Sequence, residues 1–171
     1  MIFVTVGTHY LGFERLIKEM DKIASRINEK IICQIGSTKY EPKNMNYFTF
    51  VEDEKKIAEL YKKARIIISH AGAGSIFAAL NYQKPLVVVP RLKKYNEHID
   101  DHQLELAEVL EKEGKAVVIY DINNLENAIK KAKKLNYKRN KGNNNLIKFL
   151  KKYIKRLEDE NLHGNINSIS S

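Results

Sequence analysis

Ile66-Ile67-Ile68-Ser69-His70-Ala71-Gly72-Ala73-Gly74-Ser75, residues 66–75, runs from a continuously apolar segment through a glycine-bearing turn into a helical pattern. A strand with one solvated face alternates polar and apolar residues, whereas one that is apolar throughout belongs to a parallel sheet covered on both faces. The same signature recurs at Ile2–Gly7, Ile31–Gly36, Tyr47–Val51, Leu86–Pro90 and Ala116–Tyr120. Between these runs lie helical spacings: Phe13–Ile27, with Leu16, Ile17, Met20, Ile23 and Ile27 on one side, then Ile57–Ala64, Ser75–Tyr82, Gln103–Glu113 and Leu125–Lys134. Strand alternating with helix predicts right-handed βαβ units and a doubly wound, mostly parallel α/β sheet. Such sheets bind ligands beyond the carboxyl ends of their strands, where the strand order reverses, so the strand-to-helix loops are where chemistry is expected.

At 171 residues the chain has room for one core plus an appendage, and 43% apolar with 30% charged residues excludes wholesale disorder, collagen and a bilayer-spanning chain. No apolar run approaches the roughly 18 residues of a membrane helix. Ile2–Val6 is too short for the apolar region of a secretory signal, which predicts a cytoplasmic protein. The single cysteine, Cys33, sits in Ile31-Ile32-Cys33-Gln34-Ile35 and reads as a small buried hydrophobe. The net charge of +9 is uneven: residues 1–121 carry an excess of +1 and residues 122–171 an excess of +8. A local basic block of this kind is a solvated helix face or is drawn to an anionic surface.

The organisation expected is a Rossmann-like domain over 1–137, a basic linker and amphipathic helix over 138–160, and a disordered tail over 161–171. Lys138–Asn145 is a polar, Asn-rich break. Beyond it Leu146, Leu150, Tyr153 and Leu157 recur at helical spacing and must cover the flank of their own sheet or a partner.

Three loops carry the candidate residues. Gly7-Thr8-His9-Tyr10-Leu11-Gly12 has glycines spaced as in a phosphate loop, but Phe13-Glu14 replaces the Lys-Ser/Thr of a nucleoside-triphosphate site and the dinucleotide spacing is missing. What remains is a turn into a helix N-terminus, able to offer amides to an anion or to serve as a tight turn alone. In His70-Ala71-Gly72-Ala73-Gly74-Ser75 small residues allow close approach of a ligand, and Ser75 is expected to cap a helix whose free amides face a diphosphate. In Arg91–Gln103, His98 and His102 have acids between them, but zinc spacing is not met and no metal is expected. Instead Arg91, His98, His102 and Gln103 would line a pocket, the last two donating to phosphate or sugar hydroxyls, while Asp101 would serve as an N-cap.

The ordered motifs VTVGTH, ISHAGAGSI, KPLVVVPR and EHIDDHQLELAEVLEKEG resemble the C-terminal, donor-binding domain of family 28 glycosyltransferases, the Rossmann-like half of a GT-B enzyme. Among its members the chain is most similar to the stand-alone type, the catalytic subunit of the dolichol-linked N-acetylglucosamine transferase and its bacterial capsule and exopolysaccharide counterparts. The resemblance covers residues 1–120. It implies a UDP-sugar-dependent, inverting hexosyltransferase that moves a hexose or N-acetylhexosamine, N-acetylglucosamine favoured, to a lipid-linked acceptor. It implies that the diphosphate lies near Gly7, Thr8 and the turn of Gly72, Ala73, Gly74 and Ser75, the uridine near Arg91 and His98, and the sugar near His102 and Gln103, with His70 also among the donor-binding residues. UDP-sugar is then a substrate, with neither cofactor nor metal required. A membrane-anchored, acceptor-binding partner subunit would receive the Leu146, Leu150, Tyr153 and Leu157 stripe, holding the chain at the inner membrane face with its basic side toward anionic lipid. His9 is the candidate base in this chain, alongside a group on the partner or a purely structural turn role for His9. Two positions depart from the family: Ala78 stands where many members carry a ribose-gripping glutamate, and Gln83-Lys84-Pro85 replaces Gly-Lys-Pro. The rival readings are a non-catalytic nucleotide-sugar-binding or regulatory subunit, a nucleic-acid binder suggested by the +8 block but lacking any recognised motif, and a Rossmann epimerase or dehydrogenase lacking the dinucleotide fingerprint.

Overall fold

The computed structural model describes residues 1–134, 149–153, 155 and 156. Among them six strands, β1 (Ile2–Thr5), β2 (Ile31–Gln34), β3 (Asn46–Phe48), β4 (Ile66–Ser69), β5 (Leu86–Val88) and β6 (Val117–Val118), form one sheet in the order β3-β2-β1-β4-β5-β6, every pair parallel. The helices are α1 (Glu14–Ala24), α2 (Glu54–Lys63), α3 (Ala73–Asn81), α4 (His102–Lys112) and α5 (Leu125–Ala132). The order reverses between β1 and β4, which sets the switch point at the carboxyl ends of these two strands.

Strands β1, β2, β4 and β5 are mostly apolar because both faces are covered, whereas the edge strand β3 is largely exposed. Ile2, Val4, Ile31, Cys33, Ile66, Ile68 and Val87 join one buried cluster with Leu16, Ile17 and Met20 of α1 and Leu125 and Ile129 of α5. The residues between them point to the opposite face, where Phe3 meets Tyr61 of α2 edge-on at 5.2 Å. Cys33 is buried as expected, and burial pushes its thiol pKa well up, away from reactivity.

All six expected strands are present, and β4 ends at Ser69 as expected, but the other ladders close two or three residues early; at the ends of β1 and β2 this is because Gly7 (φ 71°) and Gly36 (φ 54°) enter the left-handed region and turn the chain out of the sheet. Helix α2 starts before Ile57 because the Asp53 carboxylate caps the Lys55 amide at 2.9 Å. Helix α3 likewise begins at Ala73 with Gly72 as its N-cap, so Ser75 lies within the first turn and does not cap it.

The link from β2 to β3 has no helix. It is held instead by Asp21 on α1, whose buried carboxylate accepts the amides of Lys43 and Asn44, at 3.0 and 2.7 Å, and the hydroxyl of Tyr40 at 2.7 Å. Burial alone would raise the Asp21 pKa, but the Asn44 and Lys43 amides and the Tyr40 hydroxyl outweigh it, and the net shift is downward. A depressed carboxylate stabilises the fold above its unfolded pKa and loses that stabilisation as pH falls through the folded value. Asp21→Asn should therefore cost about 2 kcal/mol at pH 7, with the difference from wild type shrinking below about pH 4; chemical denaturation at the two pH values measures it.

The chain divides into two compact units, Met1–Lys138, which contains the sheet, and Arg139–Ser171. In the second unit residues 149–153 are helical, and Leu150 and Tyr153 are buried. Leu146, Leu157 and the expected tail lie outside the described residues. Among the described residues no helix is long and apolar enough to cross a membrane.

Candidate functional site

His70 follows β4 directly and is buried at the switch point. Its Nδ1 lies 3.2 Å from the Thr5 carbonyl oxygen, which can only accept, so Nδ1 carries the proton. Burial, with the positive field of Arg91 next in weight, pulls its pKa down to about 3 against the opposing Thr5 hydrogen bond. The ring is neutral and Nε2 is a lone pair, suited to a ligand hydroxyl or N–H. The imidazole also explains two glycines: a Cβ at Gly7 would fall 2.6 Å from Cε1 and Nε2, and one at Gly72 only 2.1 Å from Nε2. These small residues make room for the His70 ring. Gly74 differs, since nothing stands within 4 Å of its Cβ position and the space over the first turn of α3 is open. Between His70 and Gly72, Ala71 is buried at φ 66°, a left-handed conformation that a non-glycine residue adopts only when its surroundings impose it. Gln83 takes φ 53°, a left-handed conformation that glycine would adopt without strain.

Arg91 is not on the pocket wall. It is fully buried, and its guanidinium donates to the carbonyls of Leu11 (2.9 Å), Gly12 (2.9 Å) and Glu97 (3.0 Å) through Nη1 and of Val6 (2.9 Å) through Nη2, while stacking over the Phe13 ring at 4.8 Å. Burial lowers its pKa to about 10, with Glu97 opposing, so it stays charged at neutral pH. The Glu97 carboxylate, also buried, accepts both Nε and Nη2 of Arg15, at 2.9 and 2.8 Å, and the Leu92 amide. Arg15 in turn donates to the Pro90 carbonyl at 3.0 Å. The loops after β1 and β5 are thereby locked together. Gln103 is likewise turned inward, its side-chain oxygen accepting the Arg91 amide at 3.1 Å.

At the mouth the imidazole of His9 is stacked between Tyr10 and His98, each with its ring centroid 4.6 Å away. Asp100 organises the rest: its carboxylate sits 2.9 Å from His98 Nδ1, accepts the His102 amide at 3.0 Å and lies 3.6 Å from His102 Nδ1. Asp101 is the N-cap residue of α4, as expected, but its carboxylate accepts the Lys93 amide at 3.0 Å and no amide of the helix. Thr8 is exposed. Alongside, Tyr10, Gly12, Arg15, Lys39 and Tyr95 wall a cleft of about 380 Å³. The structure therefore gathers Gly7, His9, His70, Gly72, His98 and His102 around one edge of the sheet and withdraws Arg91 and Gln103 into its support. Sequence reasoning missed Asp100, Glu97 and Arg15; the only signal was charge next to the histidines, with nothing to show that Arg15 and Glu97 meet across 82 residues. Among the described residues no three His, Cys, Asp or Glu are arranged to hold a metal ion.

A parallel sheet in this order, with its loops converging on the β1/β4 switch point, defines a Rossmann-like α/β domain of the kind that forms half of a GT-B glycosyltransferase. The model of the glycosyltransferase family 28 C-terminal domain matches residues 1–157, and the chain belongs to that family. The human UDP-N-acetylglucosamine transferase subunit ALG13 is 40% identical over 123 residues, 66% of this chain and 10% of the human protein. The UDP-N-acetylglucosamine--N-acetylmuramyl-(pentapeptide) pyrophosphoryl-undecaprenol N-acetylglucosamine transferase of Clostridium tetani is 30% identical over 158 residues, 90% of this chain and 40% of that protein. Among solved structures the glycotransferase of kitacinnamycin superposes with a TM-score of 0.59 at 17% identity, covering 92% of this chain and 39% of its own, a likeness of fold. The chain thus spans between 10% and 40% of the length of these relatives.

Proposed function

We propose that this chain is the donor-binding, catalytic subunit of a two-component glycosyltransferase, moving N-acetylglucosamine or a related hexose from a UDP-sugar to a lipid-linked acceptor held by a partner subunit. The observation that carries this reading is the open first turn of α3 at the switch point of a family 28 domain. There the free amides and positive dipole end of the helix suit a diphosphate, and Gly74 leaves the approach clear. Both relatives above are named as N-acetylglucosamine transferases, one of them a subunit and the other acting on an undecaprenol-linked substrate. Charge developing on the departing diphosphate would be met by these fixed dipoles, with no cofactor. The partner would be membrane-anchored and would bring the chain to the inner membrane face.

Thermal unfolding against UDP, UDP-N-acetylglucosamine, UDP-glucose, UDP-galactose, a GDP-sugar, NAD and ATP tests the reading. UDP compounds alone should stabilise the chain, by about 2.7 kcal/mol at 100 times the dissociation constant. Gly74→Ala separates site from scaffold. Alanine favours a helix over glycine by about 0.5–1 kcal/mol, so the fold should be as stable or more so. The new methyl group would stand where the diphosphate approaches, and UDP-sugar affinity should fall about tenfold or more, a loss of about 1.4 kcal/mol. Unchanged affinity would place the nucleotide elsewhere.

A further inference from the structure

Beside the mouth, the cleft of about 380 Å³ draws its walls from three separate connections. Tyr10 stands on the loop after β1, Ser37 and Lys39 on the loop after β2, and Tyr95 and Asn96 on the loop after β5. All three loops leave the carboxyl ends of parallel strands, the end of such a sheet where ligands bind. Two of the walls are aromatic and open to solvent, Tyr10 being 69% exposed and Tyr95 51%. Exposed rings are ordinarily free to move, but both of these are held. Tyr10 stacks on His9 at 4.6 Å, and Tyr95 lies over the Arg15 guanidinium at 5.0 Å, with the Lys94 ammonium 4.9 Å from the same ring. Arg15 is itself fixed by Glu97 and the Pro90 carbonyl. The cleft therefore offers two ring faces whose ordering cost was met on folding.

The polar groups decide what stacks there. The four charged residues of the lining, Glu14, Arg15, Lys39 and Glu97, sum to zero, so the cleft favours a neutral ligand over a phosphate. Around the rim the side chains of Ser37, Lys39 and Asn96 make no hydrogen bond or ion pair among the described residues. A lipid chain would leave these three groups without partners. A flat base would stack on the rings but carries its hydrogen-bonding groups along one edge. A pyranose has C–H faces for the rings and hydroxyls around its whole circumference for the rim.

We propose that this cleft is a second ligand site, which takes a neutral pyranose, the terminal sugar of the acceptor, with its faces on Tyr10 and Tyr95 and its hydroxyls on Ser37, Lys39 and Asn96. The acceptor role rests on the donor-site reading, while the sugar site does not. Tyr10 makes the two continuous, since its ring borders the cleft and stacks on His9, which stacks in turn on His98 at the mouth.

Saturation-transfer NMR on the full chain, with methyl N-acetyl-β-D-glucosaminide, methyl β-D-glucoside and uridine as probes, tests this in wild type, Tyr10→Leu, Tyr95→Leu and Tyr47→Leu. Leucine keeps an apolar side chain but has no ring face, and the exposed Tyr47 of β3 is the control. The expected result is millimolar binding of at least one glycoside, weakened about 3- to 10-fold in each cleft variant and unchanged in Tyr47→Leu. UDP affinity of Tyr95→Leu should stay within about twofold of wild type. No glycoside binding by wild type, or equal glycoside affinity in wild type and both cleft variants, would overturn the sugar site and leave the donor reading standing. Loss of uridine and UDP affinity in the cleft variants, with glycosides unbound, would put the base in the cleft and overturn the proposal. Glycosides bound in the cleft by a chain that binds no UDP would uphold the sugar site and overturn the donor-site reading, and with it the acceptor role.

Discussion

Arg91→Met should destabilise the domain by about 4 kcal/mol, well beyond an ordinary buried substitution. Methionine fills most of the space of the arginine stem, so the loss is one of hydrogen bonding. Four backbone carbonyls, those of Val6, Leu11, Gly12 and Glu97, depend on this one guanidinium. Each buried acceptor left without a donor costs about 1–3 kcal/mol, less in sum because a freed loop relaxes toward water. Arg91→Lys should recover less than half of the loss, since one ammonium cannot reach two separated sets of carbonyls as a planar fork does. Urea denaturation reads both values, and a cost under about 1 kcal/mol for Arg91→Met would mean that the loops hold themselves.

Gly72→Ala should cost about 2–3 kcal/mol, through overpacking. The added Cβ would meet His70 Nε2 at 2.1 Å and Cε1 at 2.7 Å. The imidazole has nowhere to retreat, because Gly7 bounds its other side and Nδ1 is tied to the Thr5 carbonyl. A double-mutant cycle identifies the cause. In a His70→Ala background the same Gly72→Ala substitution should cost little, so the two changes should be strongly non-additive. Additive costs would show that the backbone at Gly72, and not the ring, sets the requirement.

The fold was legible because its signal is local. Runs such as Ile66–Ser69 and Leu86–Val88 are apolar on both faces and bounded by turns, and only a covered parallel sheet accepts that pattern. What holds the helix-free link between β2 and β3 was not legible, since it depends on Asp21 reaching a loop 22 residues away. At the site, the sequence located the three loops but misjudged what their residues do. Arg91 looked like an anion-binding side chain because nothing local distinguishes an arginine that faces a ligand from one that faces its own backbone. That Gly7 and Gly72 seat the His70 ring was hidden, because the ring comes from a different loop for Gly7 and reaches Gly72 through a left-handed turn. Leu146 and Leu157, half of the stripe read as partner-binding, lie outside the described residues.

The clamp that Arg91, Glu97 and Arg15 place across two loops also bears on recognition itself. Loops that must be ordered by a ligand charge their conformational entropy to the binding step, which lowers affinity and slows association. Here that entropy is surrendered once, during folding, by the guanidinium's bonds to four carbonyls. On the proposed reading of the site, the cleft would meet its ligand already shaped, and binding is expected to be a rigid-body encounter with a small change in heat capacity and little dependence on loop motion.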